Sequence, residues 1–173
     1  MEYRFKLNKK SSLSLESGAR YSLNPYMFTK QFLDFSSSFK ITKTISLDNG
    51  IRVTKIPNQK QLGRRLYFSL YVKPDFKKIK ISLRSRFFSE KNVVSYHRQY
   101  FRNKLAFGYK INKRISPYIE AEHLLGINSN SENKFRYGFG SQFSFSKSIN
   151  LKLFYRVQNT SKTIIGVYIS KKI

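Results

Sequence analysis

The chain has no cysteine and no tryptophan, and acidic residues are scarce, with 9 Asp and Glu against 34 Lys and Arg. Without cysteine there is neither a disulfide framework nor a thiolate metal site. No stretch approaches the roughly 18 consecutive apolar residues of a membrane-spanning helix, and the best short run is IIGVYI at 164–169. No apolar segment follows the charges of the amino-terminal MEYRFKLNKK, so it is not a signal peptide. We therefore expect either a cytoplasmic protein or a chain without its export segment.

The excess of basic residues gives a formal net charge of +25. A charge of this size predicts an anionic neighbour, such as nucleic acid, lipid phosphate or acidic polysaccharide. A length of 173 residues suits one domain, large enough to bury a core or close a barrel. Because linkers and low-complexity segments are absent, we predict a single β-barrel domain over residues 1–173.

Side-chain polarity alternates with a period of two, as in KFRYGFGSQFSFS at 134–146. Successive side chains of a strand point to opposite faces, so this period predicts an all-β chain. Most candidate strands have about 9–11 residues, which matches tilted membrane-spanning strands rather than soluble ones of about 5–6. The eleven candidates are 3–7, 13–23, 33–41, 45–53, 66–72, 79–87, 101–111, 115–125, 135–145, 149–157 and 165–169.

The predicted connections alternate between short and long. The short ones are Lys9–Ser12, Thr42–Thr44, Lys73–Lys78, Asn112–Arg114 and Ser146–Ser148; the long ones are Asn24–Lys30, 54–63, 88–97, 126–133 and Gln158–Lys162. This pattern predicts an antiparallel up-and-down transmembrane β-barrel of about 10–12 strands, with short turns at one end and longer loops at the other.

The number of strands determines how the first and the last strand would pair to close the barrel. With eleven strands the first and the last would pair in parallel, whereas bacterial single-chain barrels close antiparallel with an even number. We therefore expect an upstream strand and a signal peptide to be missing from this chain, and a parent barrel of twelve strands. Ten strands remain an alternative if one assignment is wrong.

The apolar faces indicate which side of the wall meets lipid. They carry Phe, Tyr, Leu and Ile on nearly every strand, too many large groups for a small closed interior. Aromatic residues concentrate toward strand ends, as interfacial girdles do; examples are Tyr21, Phe87, Phe101, Tyr109 and Tyr155. We predict apolar side chains toward lipid and polar ones inside. The alternative is a soluble lipocalin-like barrel or sandwich with a basic exterior.

The carboxyl-terminal half contains an Arg-rich strand with Arg98 and Arg102, then PYIEAEHLL, FRYGFG and LKLFYRVQ. In these elements the chain resembles a family of small bacterial outer-membrane proteins known only as a domain of unknown function, the 2490 family. The resemblance implies an outer-membrane barrel, and hence a bacterial outer-membrane location, with no established activity. The family carries an export signal, which this chain does not show.

Glu120 and Glu122 lie two residues apart on one face, about 6–7 Å from each other. This spacing suits acid–base chemistry or a cation, but we favour ion pairs with the preceding strand, which carries Arg102 and Lys104. The candidate lumen ion-pair network comprises Arg84, Arg86, Arg98, Arg102, Lys104, Glu120, Glu122, Arg136 and Arg156. Such a basic face either lines an anion-preferring pore or fills a salt-bridged interior.

The sequence does not favour an enzyme. Barrels that act on lipids need a nucleophile beside a base, and the strand pattern His-x-Ser is absent, because Arg98 and Gln99 follow His97. His123 is interpreted as an interfacial residue. We predict no catalytic, cofactor-binding or metal-binding residue, and no cofactor.

The predicted partners are the lipid bilayer and lipid phosphates; no nucleic acid and no protein partner is predicted. Lysines of the short turns would meet the phosphates at one rim, namely Lys9, Lys10, Lys43, Lys77, Lys78, Lys113 and Lys147. The rival function is a soluble basic β-barrel that binds nucleic acid or another polyanion, although its basic and aromatic residues would lie on opposite faces. An outer-membrane lipid-modifying enzyme ranks third.

Overall fold

The computed structural model of the chain describes residues 1–23, 26–57, 59–74, 76–91, 97–129, 131–146, 148–159 and 162–172. The regular elements in this part are strands: β1 (Glu2–Lys6), β2 (Ser11–Leu23), β3 (Tyr26–Lys40), β4 (Ile45–Lys55), β5 (Gly63–Val72), β6 (Ile79–Lys91), β7 (His97–Tyr109), β8 (Ile115–Gly126), β9 (Lys134–Ser144), β10 (Ile149–Gln158) and β11 (Lys162–Lys172). Within these ranges there is no helix long and apolar enough to cross a membrane.

The strands form a closed barrel in which each one pairs antiparallel with the next along the chain. Closure comes from β1 and β11, which pair in parallel over Glu2↔Ser170, Tyr3↔Lys171 and Arg4↔Lys172. The predicted up-and-down barrel of about 10–12 strands is thus confirmed. The described strands close as eleven through this parallel pair. The expected upstream strand and signal peptide stay predictions.

Several strands are longer than the sequence pattern indicated, among them β3, β6 and β11. β3 begins at Tyr26, and its ladder with β2 runs through Arg20↔Lys30 to Leu23↔Tyr26 with a bulge. β6 continues to Lys91, opposite His97, which is the first residue of β7 rather than part of a loop. The predicted strands ended too early because the apolar alternation stops at polar side chains. Strand pairing continues past them, since its hydrogen bonds join backbone N–H and C=O groups.

The two faces of the wall differ sharply in polarity. Large apolar side chains point outward and are exposed, including Phe35 at 53%, Ile119 at 62% and Val167 at 64%. On the opposite face Asp34 and Glu122 are buried, at 2% and 4%. A soluble barrel would show the reverse. The predicted apolar exterior and charged interior of a transmembrane barrel are confirmed.

Aromatic side chains fill part of the interior near the loop end. Tyr67, Phe88, Tyr100 and Leu124 form a buried cluster, with exposures of 3–8%, and the rings of Phe88 and Tyr100 stack at 5.0 Å. The Tyr67 ring occupies the space beside Gly50, where an added Cβ would overlap the tyrosine hydroxyl. We call Tyr67, Phe88, Tyr100 and Leu124 the aromatic cluster.

Candidate functional site: a cationic lumen

Glu122 is the centre of the largest group of charges in the barrel. Its carboxylate accepts a hydrogen bond of 2.7 Å from Nη1 of Arg136 on β9. It also contacts Nη2 of Arg102 on β7. Nη2 of Arg84, on β6, lies 3.8 Å away. The side chain of Glu122 is only 2% exposed. Three strands therefore direct guanidinium groups at one buried carboxylate, which compensates its desolvation.

Glu120 lies two residues earlier on β8 and has its own pair of cations. Nζ of Lys104 approaches to 2.5 Å from the neighbouring strand β7. Arg156 also contacts it from β10, although β9 lies between. The residue of β9 that faces both Glu120 and Arg156 is Gly138. Because glycine has no side chain, the arginine can cross β9 at this point to reach the carboxylate.

An added Cβ at Gly138 would obstruct this crossing. It would lie 2.8 Å from the backbone oxygen of Tyr155 and 3.3 Å from Cγ of Arg156. Gly138 therefore separates the two partners of an ion pair and leaves room for the arginine side chain.

Two residues of the candidate network lie apart from the carboxylates. Arg86 donates from Nε to Ser69 at 2.7 Å, and its guanidinium stacks 3.8 Å from the Tyr67 ring centroid. Arg98 makes no ion pair within the described residues, and its buried Nε has no hydrogen-bond partner there. Glu90 lies opposite Arg98, but its carboxylate accepts a hydrogen bond of 2.9 Å from Nε of Arg65 instead. The other five cations of the candidate network gather around Glu120 and Glu122.

A second charged group, which the sequence did not single out, lies across β2–β5. Nε of Arg52 is 2.6 Å from Asp34, and its Nη2 is 3.5 Å from Glu16. The hydroxyl of Tyr67 donates to the other oxygen of Asp34 at 2.6 Å. Asp34 and Arg52 are directly opposite in the β3–β4 hairpin. Counting outward from the turn at 41–44 would have found this pair.

Around Asp34, Glu120 and Glu122 the cations are more accessible than the carboxylates, whereas the side chains of Glu16 and Glu90 keep 27% and 23% exposure. The side chains of Asp34, Glu120 and Glu122 are 2–3% exposed, whereas those of their Arg and Lys partners are 15–19% exposed. Two further lysines contact no carboxylate in the described part: Lys80 donates to Ser116 at 3.1 Å, and Lys152 lies 4.1 Å above the Tyr118 ring. These three acids are covered by their partners, so the accessible surface around them is cationic.

Both histidines are placed by the structure. Nε2 of His97 lies 2.8 Å from the Ser89 hydroxyl, a pairing that the sequence did not reveal. Among the described residues no carboxylate contacts this imidazole, so the third member of a catalytic triad is absent there. His123 stacks on Phe135 with ring centroids 4.3 Å apart. No three His, Asp or Glu side chains in the described ranges form a metal-binding group.

The closed meander with its apolar exterior and charged lumen has the architecture of bacterial outer-membrane β-barrels. The chain belongs to the DUF2490 family, which is described as a protein of unknown function and whose family model matches residues 1–164. The resemblance found in the carboxyl-terminal half therefore extends over nearly the whole chain. A comparison with curated proteins finds no match.

Similar solved structures include three porins. The KdgM porin has a TM-score of 0.66 at 12% identity, covering 99% of this chain and 89% of that porin. The NanC porin has a TM-score of 0.56 at 12% identity, with 99% and 97% covered. An anion-selective porin from Comamonas acidovorans has a TM-score of 0.50 at 12% identity, and the match covers 99% of this chain and 53% of the porin. At such identities the likeness shows the fold alone.

Proposed function

We propose that this protein is a channel of the bacterial outer membrane that admits small anionic solutes. The observation that carries the proposal is the burial of Asp34, Glu120 and Glu122 beneath their cationic partners. Charged side chains lining a narrow, low-dielectric pore concentrate counter-ions, and Arg and Lys linings favour anions. The similar fold of a porin that is itself anion-selective agrees with this assignment.

The proposal places the barrel wall in the bilayer, with lipid as its partner. The exposed Phe, Leu, Ile and Val side chains would face acyl chains, and Lys77, Lys78 and Lys113 of the short turns would lie near lipid phosphates. In this proposal the protein conducts solutes and does not catalyse a reaction. The Ser89–His97 contact is not needed for it.

Planar-bilayer recordings under a potassium chloride gradient test the proposal. The wild-type protein should give channel events with a reversal potential displaced toward that of chloride. K80E/K152E should shift it toward the potassium value, because both side chains line the lumen without a carboxylate partner. K60E, which changes the exposed Lys60 between β4 and β5, is the control and should leave selectivity unchanged. Selectivity for potassium in the wild type would contradict the proposal.

The aromatic cluster favours a second candidate, a barrel that is closed and structural. Its four side chains fill the interior near the loop end. If this cluster closes the lumen, the wild type should give no current, whereas Phe88→Ala should open a passage. A silent wild type with current through Phe88→Ala would remove the channel proposal in favour of the closed barrel, whereas silence of both proteins would remove the channel proposal and also contradict closure by this cluster. Currents in the wild type would remove the structural candidate.

A further inference from the structure

The end of the barrel with the short turns contains a cavity of about 670 Å³. It is formed by the ends of β1 to β5 and by the turns at 7–10 and 41–44, and we call it the turn-end vestibule. Its lining is rich in cations: Arg4, Lys6, Lys9, Lys10, Lys40, Lys43 and Lys73. Asp48 is the acidic residue that the described lining contains. The sequence alone assigned the turn lysines only to the membrane rim.

Hydrogen bonds hold the first turn of the vestibule in shape. Oδ1 of Asn8 accepts the backbone N–H groups of Lys10 at 2.8 Å and Ser11 at 2.7 Å. The backbone N–H of Lys40, at the end of β3, donates to the carbonyl of Lys10 at 2.8 Å. An Asx turn of this kind fixes the local backbone. Lys10 and Lys40 are therefore presented side by side from a constrained backbone.

The second turn is held in the same way. Oγ1 of Thr42 accepts the backbone N–H groups of Thr44 at 3.1 Å and Ile45 at 3.0 Å. The N–H of Lys73, at the end of β5, donates to the Thr44 carbonyl at 2.8 Å. Lys43 lies within this turn. Both turns are tied to the adjacent strand, so little backbone ordering would be needed when a ligand binds.

Most of the positive charge in the vestibule is uncompensated. Arg4 pairs with Glu2 at 2.8 Å, and Lys73 lies 4.4 Å above the Tyr71 ring. The remaining five lysines make no ion pair in the part of the chain that the structure describes. Like charges gathered in one cleft repel each other and raise the local concentration of anions. Hydroxyls of the lining, including Ser12 and Ser38, supply neutral hydrogen-bond donors among the cations.

We propose that the turn-end vestibule binds a soluble multivalent anion with at least three phosphate or carboxylate charges. The cations come from three strands and two turns, so one small monovalent ion cannot contact most of them. Arg4, Lys6 and Lys40 have the strand parity that faces the interior, opposite to the lipid-facing parity of Phe5 and Phe39. A soluble ligand reaches them through the mouth of the barrel. In bacterial barrels this end faces the periplasm.

The binding claim does not require conduction, so it is tested by equilibrium binding. Inorganic tripolyphosphate is titrated calorimetrically into the full chain in micelles of lauryldimethylamine oxide, at low and at high sodium chloride. The test variant K6Q/K10Q/K40Q/K43Q removes four vestibule charges. The control K77Q/K78Q/K113Q/R114Q removes four exposed charges from other turns at the same end. Circular dichroism establishes that each variant keeps its strands.

We expect the test variant to lose roughly 30-fold in association constant and the control to stay within about threefold, given the usual contribution of an exposed charge pair. Binding should also weaken as salt is raised. Equal losses in both variants would assign the effect to overall charge and overturn the proposal, as would a wild type that does not bind. If added phosphatidylglycerol displaces tripolyphosphate with the same lysine dependence, the ligand is a lipid headgroup and the soluble-anion proposal is wrong.

Discussion

Replacing Glu122 with glutamine removes the charge around which three arginines of the lumen gather. Glutamine keeps nearly the same volume and can still accept one hydrogen bond, so the change is chiefly electrostatic. Arg84, Arg102 and Arg136 then face one another without a shared carboxylate. The nearest remaining acid, Glu120, is already paired with Lys104 and Arg156.

The expected loss of unfolding free energy follows from the burial of these groups. Breaking a buried pair by removing one partner costs about 3–5 kcal/mol. The arginine side chains keep 15–19% exposure, so lumen water screens part of their repulsion and we expect the lower value, about 3 kcal/mol. Equilibrium urea unfolding in lipid vesicles, followed by far-ultraviolet circular dichroism, measures the difference.

Glu132→Gln provides the matched control, because this side chain is 82% exposed and lies 3.4 Å from Lys134. An exposed pair of this kind contributes at most about 1 kcal/mol. The double variant E122Q/R102Q should recover part of the loss, since it removes one of the unbalanced charges. A Glu122→Gln protein as stable as the Glu132→Gln protein would refute the reasoning.

Three other changes test the wall and the interior. Gly138→Val should destabilise the barrel by about 1–3 kcal/mol, because its side chain blocks the ion pair that crosses β9, whereas Ala121→Val on the lipid face should be nearly neutral in the same urea titration. Tyr67→Phe should cost about 1.5–3 kcal/mol through loss of its hydrogen bond to a buried carboxylate, and Tyr137→Phe on the exterior, compared by thermal unfolding, should cost little. Phe139→Arg should make the free energy of folding into vesicles less favourable by about 2–4 kcal/mol. Folding yields equal to those of the wild type would contradict a lipid-facing position.

Much of the fold could be predicted from the sequence because its strongest signal is local. Alternation such as Phe135, Arg136, Tyr137, Gly138 fixes which side chains share a face without any knowledge of strand partners. The closure of the barrel could not be predicted from a local pattern. The parallel pairing of β1 with β11 joins the two ends of the chain, and no short-range pattern encodes it.

The candidate site was predictable where partners lie on adjacent strands. Lys104 and Glu120 belong to neighbouring strands, so parity brought them together. Arg156 reaches Glu120 from two strands away, and that contact depends on the register of both hairpins and on the gap at Gly138. Arg98 shares the interior parity but lies outside the network, because the acid opposite it is bonded to Arg65. The vestibule required the tertiary structure, since its lysines come from distant parts of the sequence.

Single-cysteine scanning from residue 135 to residue 144 tests the central claim most directly, because the chain has no cysteine to interfere. Each variant is folded into vesicles and labelled with a fluorophore that is quenched either by spin-labelled lipid or by aqueous iodide. We predict lipid quenching at 135, 137, 139 and 143, and iodide quenching at 136, 142 and 144. A uniform profile, or lipid quenching at the even positions, would contradict a barrel with an apolar exterior and a cationic, watery lumen.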